Sequence, residues 1–368
     1  MSEKSGMTRR TLYVAITNHG FGHATRAASV AATVKQLAAD IDIILATTAP
    51  RWLLASYLKA PFVLREQALD VGVLQPDSLT VDRPATLAAL RQLQQCQGEL
   101  VAREAAFLQA AQVDLVLGDI PPLVAIAAKA TNIPCWMMSN FGWDFIYRAW
   151  GGEFGAIADW IQNCFAQADR LFRLPFHEPM AVFSDITDVG LTGGTPQYSA
   201  ATLRQRFDIT ADQSKTVLLT FGGLGLAQIP YGTLQRFADW QFITFDRQAP
   251  DLPNLCKVSD RTLRPVDFMP LCGRVVSKPG YSTFSEACRL EVPVVTITRD
   301  DFAEGPLLVS QLQDCSDHQV LTPQAFAEGA WEFLETVPNP PRTSQRLSKT
   351  GNQAIAGAIV DFLHDHSR

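Results

Sequence analysis

Short apolar runs rich in β-branched residues alternate with longer segments of helical periodicity along the first half of the chain. The runs are apolar throughout, as is typical of strands buried on both faces of a parallel sheet. The predicted strands are residues 11–17, 41–47, 115–118 and 135–139, and the helices between them are residues 26–39, 85–112 and 123–131. This alternation predicts a doubly wound α/β unit with right-handed crossovers.

A second series of the same kind follows and predicts a second α/β unit. Its strands are residues 216–221, 242–245, 274–277 and 294–298, and its helices are residues 233–238, 282–290 and 305–314. Residues 175–196 are rich in proline, glycine and turn formers, which predicts a hinge between the units. Ile355, Ile359 and Phe362 have the spacing of an amphipathic helix, which we expect to pack back across both units.

The composition excludes several classes of protein. Of 368 residues, 47% are hydrophobic and 18% are charged, and 37 Asp and Glu against 31 Lys and Arg give a net charge of −6. An acidic balance of this kind disfavours binding to nucleic acid. No apolar run approaches the ~18–20 residues that span a bilayer, so we expect a soluble, cytoplasmic protein.

The cysteines and acidic pairs give no sign of a metal site. The seven cysteines are scattered and never in CxxC spacing, which indicates buried free thiols rather than disulfides or a zinc site. Asp40 and Asp42 have the DxD spacing of a metal-binding motif, but they lie at the start of the second strand, away from the carboxyl edge of the sheet. We interpret them as a turn and the beginning of a strand, and we predict no metal.

The first strand leads into the loop Asn-His-Gly-Phe-Gly-His-Ala-Thr-Arg, residues 18–26. Glycines at such a turn let a ligand approach the backbone, and open α/β folds bind ligands at this edge. His19 and His23 lie in the loop, and a histidine can accept a proton from a hydroxyl near neutral pH. Asp119 ends a later strand at the same edge, where it is suited to orient a histidine. The alternatives are structural histidines and a helix cap at Asp119.

Five aromatic residues fall within residues 141–150, directly after the strand at residues 135–139. They are suited to line an acceptor pocket that includes Trp143, with Asn140 and Asp144 as its polar anchors. For half of these aromatic side chains, the alternative is ordinary packing in the core or between domains.

Two glycine-rich turns predict a binding site in the second unit. Gly222 and Gly223 follow a strand and suit close approach by a diphosphate. The second turn, Ser-Lys-Pro-Gly-Tyr-Ser-Thr-Phe-Ser-Glu at residues 277–286, opens a helix whose first N–H groups and hydroxyls can hold phosphate oxygens. Lys278 adds positive charge there, and Glu286 is placed to accept ribose hydroxyls. A capping box from Thr283 to Glu286 is the structural alternative, and both can hold at once.

Residues 278–286 resemble the nucleotide-sugar signature of GT-B glycosyltransferases, H-x-G-W-N-S-x-x-E. Gly280, Thr283 and Glu286 match it, whereas Lys278, Tyr281 and Ser282 replace its His, Trp and Asn. More closely, the segments NHGFGHATR, LTVDRPA, SNFGWDFIY, FGG, GYSTFSEA and RDDFAEGP resemble, in the same order, the glycosyltransferase-like N-terminal region of L-arabinokinases. The resemblance covers nearly the whole chain, and the kinase portion of those proteins is absent, so arabinose phosphorylation is not implied.

The resemblance implies two doubly wound, Rossmann-like domains that face a central cleft: an acceptor domain at residues 1–180, a nucleotide-sugar domain at residues 181–345 and a returning helix at residues 346–368. It implies His23 as the catalytic base and Asp119 as its partner. The donor-binding residues it implies are Gly222, Gly223, Phe268, Met269, Lys278, Gly280, Tyr281, Ser282, Thr283, Glu286, Asp301 and Glu304, with Asp301 and Glu304 competing for the sugar. The expected acceptor-binding residues are His19, Gly22, Asn140, Trp143 and Asp144.

The expected function is metal-independent transfer of a sugar from a nucleotide-sugar, most simply a UDP-sugar, to a hydroxyl of a small molecule, a lipid or a glycan. The nucleotide-sugar is a co-substrate, so no cofactor is expected. Two other functions stay open: a sugar-nucleotide epimerase on the same fold, and a binding protein without catalysis. An exposed apolar patch near residues 141–150 would favour peripheral membrane contact.

Overall fold

The computed structural model describes residues 9–76, 80–222, 226, 229–329 and 331–365. The strands are β1 (Thr11–Ile16), β2 (Asp42–Ala46), β3 (Val63–Arg65), β4 (Leu115–Asp119), β5 (Cys135–Ser139), β6 (Arg170–Arg173), β7 (Ile186–Asp188), β8 (Thr216–Thr220), β9 (Gln241–Thr244), β10 (Leu255–Lys257), β11 (Arg274–Ser277), β12 (Val294–Ile297) and β13 (His318–Leu321).

The α-helices are α1 (Gly22–Leu37), α2 (Arg51–Tyr57), α3 (Arg83–Ala110), α4 (Leu123–Thr131), α5 (Trp143–Trp150), α6 (Phe154–Phe165), α7 (Ala200–Arg206), α8 (Pro265–Phe268), α9 (Tyr281–Arg289), α10 (Glu304–Cys315), α11 (Pro323–Ala327) and α12 (Gly351–Asp365). Short 3₁₀ helices cover Gln213–Lys215, Tyr231–Arg236, Met269–Leu271 and Glu332–Leu334.

Two parallel sheets form the framework, as the alternating pattern predicts. The first has the order β3-β2-β1-β4-β5-β6-β7, and the second has the order β10-β9-β8-β11-β12-β13. In each sheet the order reverses at a central pair, β1 beside β4 and β8 beside β11, where Ile16 pairs with Asp119 and Ser277 with Thr220. A crevice outside the carboxyl ends of the strands opens at such a reversal, and ligands bind there in open α/β sheets.

Several predicted boundaries differ from the structure. The first sheet continues through β7, beyond the boundary expected after residue 180. The helix predicted at residues 233–238 is the 3₁₀ helix Tyr231–Arg236. The capping box considered as the structural alternative does not form, because α9 already begins at Tyr281, after Gly280, so Thr283 lies inside the first turn.

The returning helix is confirmed: α12 packs against α1 of the first unit. Ile355 and Ile359 of α12 are buried in a core that also contains Val30 and Val34 of α1 and Val275 of β11. This core is shared by both units, while a separate core lies on the outer face of each sheet. The seven cysteines are free, but the expectation that all are buried is wrong, since Cys96 is exposed on α3.

Candidate active site

A cavity of about 110 Å³ lies between the carboxyl ends of the two sheets; we call it the reaction cavity. The first unit contributes His19 of the loop after β1 and Gly22 and His23 at the start of α1, and the second unit contributes the start of α9. Its lining residues are His19, Gly20, Phe21, Gly22, His23, Arg26, Gln75, Thr220, Gly222, Lys278, Pro279, Gly280, Tyr281, Ser282, Thr283, Arg299, Phe302 and Glu304. Many of the residues predicted from the two glycine-rich motifs therefore lie around one cavity.

His23 and Asp119 form the predicted pair. His23 Nδ1 lies 2.8 Å from Asp119 Oδ1, and the Asp119 carboxylate is fully buried at the end of β4. The carboxylate is therefore not the helix cap considered as an alternative. With Nδ1 protonated and donating to Asp119, the lone pair of Nε2 is the one available to accept a proton.

An arginine that the sequence reasoning did not single out shares the same carboxylate. Arg26 Nε donates to Asp119 Oδ2 at 2.7 Å, and Arg26 Nη2 donates to Oδ1 at 2.5 Å. Burial alone would raise the pKa of Asp119, but the positive charge of Arg26, assisted by His23, lowers it below its ordinary value. Asp119 is therefore ionised at neutral pH. The signal in the sequence was the Arg at the end of the first motif, three residues after His23.

The beginnings of α1 and α9 meet at the reaction cavity. Ser282 Oγ donates to the carbonyl oxygen of Gly22 at 2.8 Å. A Cβ atom on Gly22 would lie 3.3 Å from this hydroxyl oxygen, so the close approach favours glycine there. The first N–H groups of α9 have no carbonyl partner within the helix, and Gly280, Tyr281, Ser282 and Thr283 all line the cavity. An anion at this helix start would also meet the positive end of the helix dipole.

Two cations stand beside the start of α9. Lys278 and Arg299 both line the reaction cavity, and Gly222 lies opposite Lys278 with a left-handed backbone angle φ of 79°. Burial, and then the charge of Arg299, lower the pKa of Lys278 to about 8, while Glu304 acts in the opposite direction. Arg299 also stacks on the Phe302 ring, 4.4 Å from its centroid. Gly223, the other predicted glycine of this region, lies outside the described residues.

A second cavity, of about 240 Å³, adjoins the first through shared residues of α1 and α9; we call it the nucleoside cavity. Glu286 lines it and is 4% exposed. Glu286 Oε1 accepts a hydrogen bond from Gly194 N–H at 2.8 Å. Burial raises the pKa of Glu286 to about 7, although this hydrogen bond and the charges of Arg264 and Arg289 lower it. The predicted ribose acceptor is thus also a contact to the segment that joins the two units.

Phe268 and Met269 do not line either of these cavities, because both are fully buried in the shared core. The expectation that they bind the donor is therefore wrong. Instead, the loop at residues 258–264, which precedes them in the chain, lines one side of the nucleoside cavity, and α2 lines the opposite side. The walls that sequence reasoning missed are Trp52, Ser56, Tyr57, Phe245, Val258, Ser259, Arg261, Leu263 and Arg264. Arg261 lies over the ring of Trp52, 5.2 Å from its centroid.

The predicted aromatic acceptor pocket is wrong. Residues 143–150 form α5, and Phe141, Trp143 and Tyr147 point into the core of the first unit. Trp143 is fully buried, and its Nε1 donates to Thr17 Oγ1 at 3.0 Å. The alternative of core packing therefore applies to these rings. Asp144 is also buried and bonds to Gln162 Nε2, away from both cavities.

His19 does line the reaction cavity. Its ring stacks on Phe302, with centroids 5.7 Å apart, and meets the edge of Trp143. Burial first, and then the charges of His23, Lys278 and Arg299, lower the pKa of His19 well below its ordinary value. This imidazole is neutral at neutral pH, which suits hydrogen bonding rather than charge pairing.

Asn140 is buried between the units rather than placed on a cavity wall. Its Oδ1 accepts from Arg26 Nη1 at 2.8 Å, and its Nδ2 donates to Glu304 Oε1 at 2.7 Å. Glu304 lines the reaction cavity, whereas Asp301 does not: its carboxylate lies 3.4 Å from Arg299, and its carbonyl oxygen accepts from Trp150 Nε1. Of the two competing acids, the geometry favours Glu304 as the one near a sugar.

Asp42 opens β2 at the edge of the sheet remote from the cavities, 3.5 Å from Arg9, in agreement with its interpretation as the beginning of a strand. Among the described residues, no three His, Cys, Asp or Glu side chains are grouped so that they could hold a metal ion. In the same part of the chain, every helix is too short or too polar to cross a bilayer.

The two facing sheets and the cleft between them are the architecture of the GT-B glycosyltransferases, as predicted. Medicago truncatula UGT71G1, complexed with UDP-glucose, superposes with a TM-score of 0.61 at 12% identity over 96% of this chain and 98% of that chain. Arabidopsis thaliana UGT89C1, complexed with UDP-L-rhamnose, gives 0.60 at 13% identity over 98% of both chains. A Listeria monocytogenes protein provisionally assigned as a UDP-N-acetylglucosamine 2-epimerase gives 0.58 at 11% identity over 98% of both chains.

In sequence, the chain is related to L-arabinokinase. The Arabidopsis thaliana enzyme is 32% identical over 311 residues, which cover 81% of this chain. The chain spans 29% of the length of that relative. No protein-family model matches. The chain is thus a protein of the GT-B glycosyltransferase fold that resembles a part of L-arabinokinase.

Proposed function

We propose that this chain transfers a sugar from a UDP-linked donor to an acceptor hydroxyl, without a metal and with His23 as the base. The observation that carries the proposal is the meeting of two half-sites at one cavity. The hydrogen-bonded His23 and Asp119 come from the first unit, and the start of α9 with Lys278 comes from the second. A base and an anion site on opposite walls are what displacement of a nucleoside diphosphate by a hydroxyl requires.

The nucleoside diphosphate would lie along α9. Its ribose would reach Glu286 in the nucleoside cavity, and its diphosphate would meet the first N–H groups of α9, Ser282 and Lys278. The sugar would then extend toward Glu304, between the helix start and His23. The UDP-sugars named in the complexes of proteins with this fold support a donor of this class.

In the proposed reaction, His23 Nε2 takes the hydroxyl proton as the acceptor oxygen bonds to the anomeric carbon of the sugar. The bond from that carbon to the phosphate oxygen breaks, and the electron pair leaves with UDP. Lys278, Arg299 and the N–H groups of α9 stabilise the charge on the departing diphosphate. Asp119 keeps Nδ1 protonated and stabilises the imidazolium that forms.

The acceptor would enter on the side of the first unit, next to His19 and Gly22. The part that reaches His23 must be small, because the reaction cavity falls below the ~300–1,000 Å³ of pockets that enclose drug-sized ligands. A hydroxyl on a small molecule, a lipid or a glycan meets this condition. The aromatic wall expected from residues 141–150 gives no preference, since Phe141, Trp143 and Tyr147 are buried in the core of the first unit.

The proposal is tested by calorimetric titration with UDP and UDP-glucose, followed by assays of sugar transfer to a panel of acceptors and to water. Changing His23 to Ala should lower transfer by about 10²–10⁴-fold, the usual contribution of a general base, and leave the affinity for UDP unchanged. His364→Ala, on α12 and remote from the cavities, is the matched control and should behave as the wild type.

Three results would contradict parts of the proposal. Transfer that survives in His23→Ala excludes this residue as the base. A change of the sugar within UDP-glucose, without transfer, would instead identify an epimerase. UDP binding without turnover on any acceptor or water would identify a binding protein.

A further inference from the structure

Arg26 is a buried cation to which the proposed reaction gives no role. It lies one turn after His23 on α1 and is 1% exposed. Four of the five guanidinium N–H groups have acceptors: two on the Asp119 carboxylate, one on Ser139 Oγ at 3.2 Å and one on Asn140 Oδ1 at 2.8 Å. The side chain is therefore held in one orientation.

Arg26 also lies close enough to His23 to affect which ring nitrogen carries the proton. Arg26 Nη2 lies 2.9 Å from His23 Nδ1, which is itself 2.8 Å from Asp119 Oδ1. If Nδ1 lacked a proton, it would accept from Arg26, and Nε2 would then carry the proton and could not act as a base. Nη2 carries two hydrogens and has three acceptors within reach: Asp119 Oδ1 at 2.5 Å, His23 Nδ1 at 2.9 Å and Ser139 Oγ at 3.2 Å. When these hydrogens are directed to Asp119 and Ser139, Nδ1 is left to donate to the carboxylate, and this is the arrangement that we infer.

The same guanidinium is in contact with the second unit. Asn140, which accepts from Arg26, donates to Glu304 of α10 at 2.7 Å. In addition, the Arg26 guanidinium lies over the Tyr281 ring of α9, 4.9 Å from its centroid. Both contacts cross the cleft. They connect the carboxylate beside His23 to the two helices that line the second unit's side of the reaction cavity.

We propose that Arg26 is a positioning residue that fixes Asp119 and the Nδ1–H tautomer of His23, and that Asn140 and Tyr281 make this arrangement dependent on contact with the second unit. The proposal rests on the proposed function, since it assigns Arg26 a role in that reaction. Arg26 itself touches neither the acceptor oxygen nor the anomeric carbon in this scheme.

The role of Arg26 has a consequence for pH dependence. Arg26 offsets the negative charge of Asp119, so removing it leaves His23 beside an uncompensated carboxylate that stabilises the imidazolium. The other charged or titratable groups around this pair are His19, Asp70, Lys278, Tyr281, Arg299 and Glu304, and they are the same in wild type and variant. The acidic limb of the activity profile should therefore move to higher pH when the Arg26 charge is removed.

The test compares Arg26→Gln with Arg26→Lys. The assay follows the UDP that is released when glucose is transferred from UDP-glucose to water. In Arg26→Gln, the acidic limb of kcat/KM should move up by about one pH unit. Arg26→Lys keeps the positive charge but loses the paired hydrogen bonds to Asp119. In this variant the acidic limb of the kcat/KM profile should stay in place, while kcat falls about tenfold. A purely structural role would lower activity in both variants without moving the limb. Superimposable profiles for wild type and Arg26→Gln would overturn the proposal.

The wild-type protein provides a second measurement that requires no variant to fold. The chain has six histidines, so the ring ¹⁵N resonances can be assigned by His→Gln substitution. In its neutral form, the His23 ring should show a protonated Nδ1. A protonated Nε2 would mean that Arg26 donates to Nδ1 and would overturn the proposal. This measurement is independent of turnover, so it stands even if UDP-glucose is not bound and the proposed function fails.

The link across the cleft is tested by Asn140→Ala. We expect kcat to fall about tenfold, because this factor corresponds to the loss of about one hydrogen bond in the transition state. The affinity for UDP should stay unchanged. An unchanged kcat would show that the contact with Glu304 does not support the base and would remove this part of the proposal.

Discussion

Lys278 is a residue of the reaction cavity whose charge changes close to neutral pH. It lies just after β11, and burial together with the nearby Arg299 lowers the pKa of its ammonium to about 8. An exposed lysine keeps its charge to a much higher pH. A diphosphate at the start of α9 would therefore meet a cation below about pH 8 and a neutral amine above it.

From this we predict that the affinity for UDP decreases as the pH rises from about 7 to about 9, because Lys278 loses its proton in that interval. Calorimetric titration at a series of pH values measures the effect. Lys278→Gln should bind UDP more weakly at about pH 7, and its affinity should vary less with pH. Lys59→Gln, at an exposed position of the first unit, is the control and should keep the wild-type profile. A Lys278→Gln variant with the wild-type pH dependence would contradict the prediction.

Single residues were predictable from the sequence where a motif places them at a strand end. His23, Asp119, Lys278 and Glu286 all lie at the edge that the alternating pattern predicts. Contacts between residues distant in the chain were not predictable. The ion pair of Arg26 with Asp119 joins positions 93 residues apart. Although Arg26 lies in the first motif, nothing in the sequence around it indicates that Asp119 is its partner.

Helix α9 is attached along one side to the segment 191–196 that joins the two units. Glu286 accepts from Gly194 N–H, and Arg289 donates to the carbonyl oxygens of Gly193 and Gly194. A Cβ atom on Gly193, whose φ is 133°, would lie 2.7 Å from Glu286 Cγ, so only glycine suits this close approach. The helix that we propose to bind the donor is thus also bound to the connection between the units.

This attachment leads to a prediction about stability. In the folded protein the pKa of Glu286 is raised to about 7, so its carboxyl keeps a proton that the unfolded chain loses near pH 4.5. The stability contributed by Glu286 is therefore fully present below about pH 4.5 and is lost as the pH rises toward about 7. Glu286→Gln keeps the hydrogen bond to Gly194 but cannot ionise.

Urea unfolding at a series of pH values tests this prediction. The free energy of unfolding of the wild type should fall relative to that of Glu286→Gln between about pH 4.5 and pH 7. Glu335→Gln, at an exposed site, controls for the loss of a carboxylate. A constant difference between wild type and Glu286→Gln across this range would contradict the raised pKa.

Elements were predictable where burial imposes a simple pattern. The strands β1, β4, β5, β8 and β11 are buried throughout or nearly so, and their apolar runs indicate them directly. The three-residue strands β3, β7 and β10 lie toward the sheet edges and are partly exposed, so no such pattern predicts them. In α5 the aromatic residues are plain in the sequence, but only the fold determines that their rings face the core.

The two units are joined by a shared core in addition to their connecting segment. Ile359 of α12 is fully buried in this core, which includes residues of α1 and of β11. Loss of a side chain there affects packing between elements far apart in the sequence. We therefore expect the whole molecule, and not α12 alone, to respond to a cavity at this position.

Accordingly, Ile359→Ala should lower the free energy of unfolding by about 2–5 kcal/mol, the usual cost of truncating a buried isoleucine. Thermal unfolding followed by circular dichroism measures the change. Asp361→Ala, on the exposed side of the same helix, should change stability by no more than about 0.5 kcal/mol. Equal effects of the two substitutions would show that α12 does not support the shared core.

At the scale of the whole molecule, the sequence predicted two α/β units and a returning helix, because each follows from hydrophobic periodicity. Hydrophobic periodicity does not predict how the two units contact each other. The contacts of Ser282 with Gly22 and of Asn140 with Glu304 join residues that lie on different units and belong to different motifs. Only the resemblance to a known family suggested that the two edges face each other.

The position of α12 on α1 also affects the order in which the protein can fold during synthesis. The ribosome releases α1 long before α12, so the apolar side of α1 that α12 covers stays open while the second unit is being made. Exposed apolar surface on an incomplete chain promotes aggregation, and chaperones bind such surfaces. A fragment that ends within the second unit would keep this surface uncovered permanently. Expression of the first unit alone is therefore expected to yield aggregated protein unless the α12 segment is supplied.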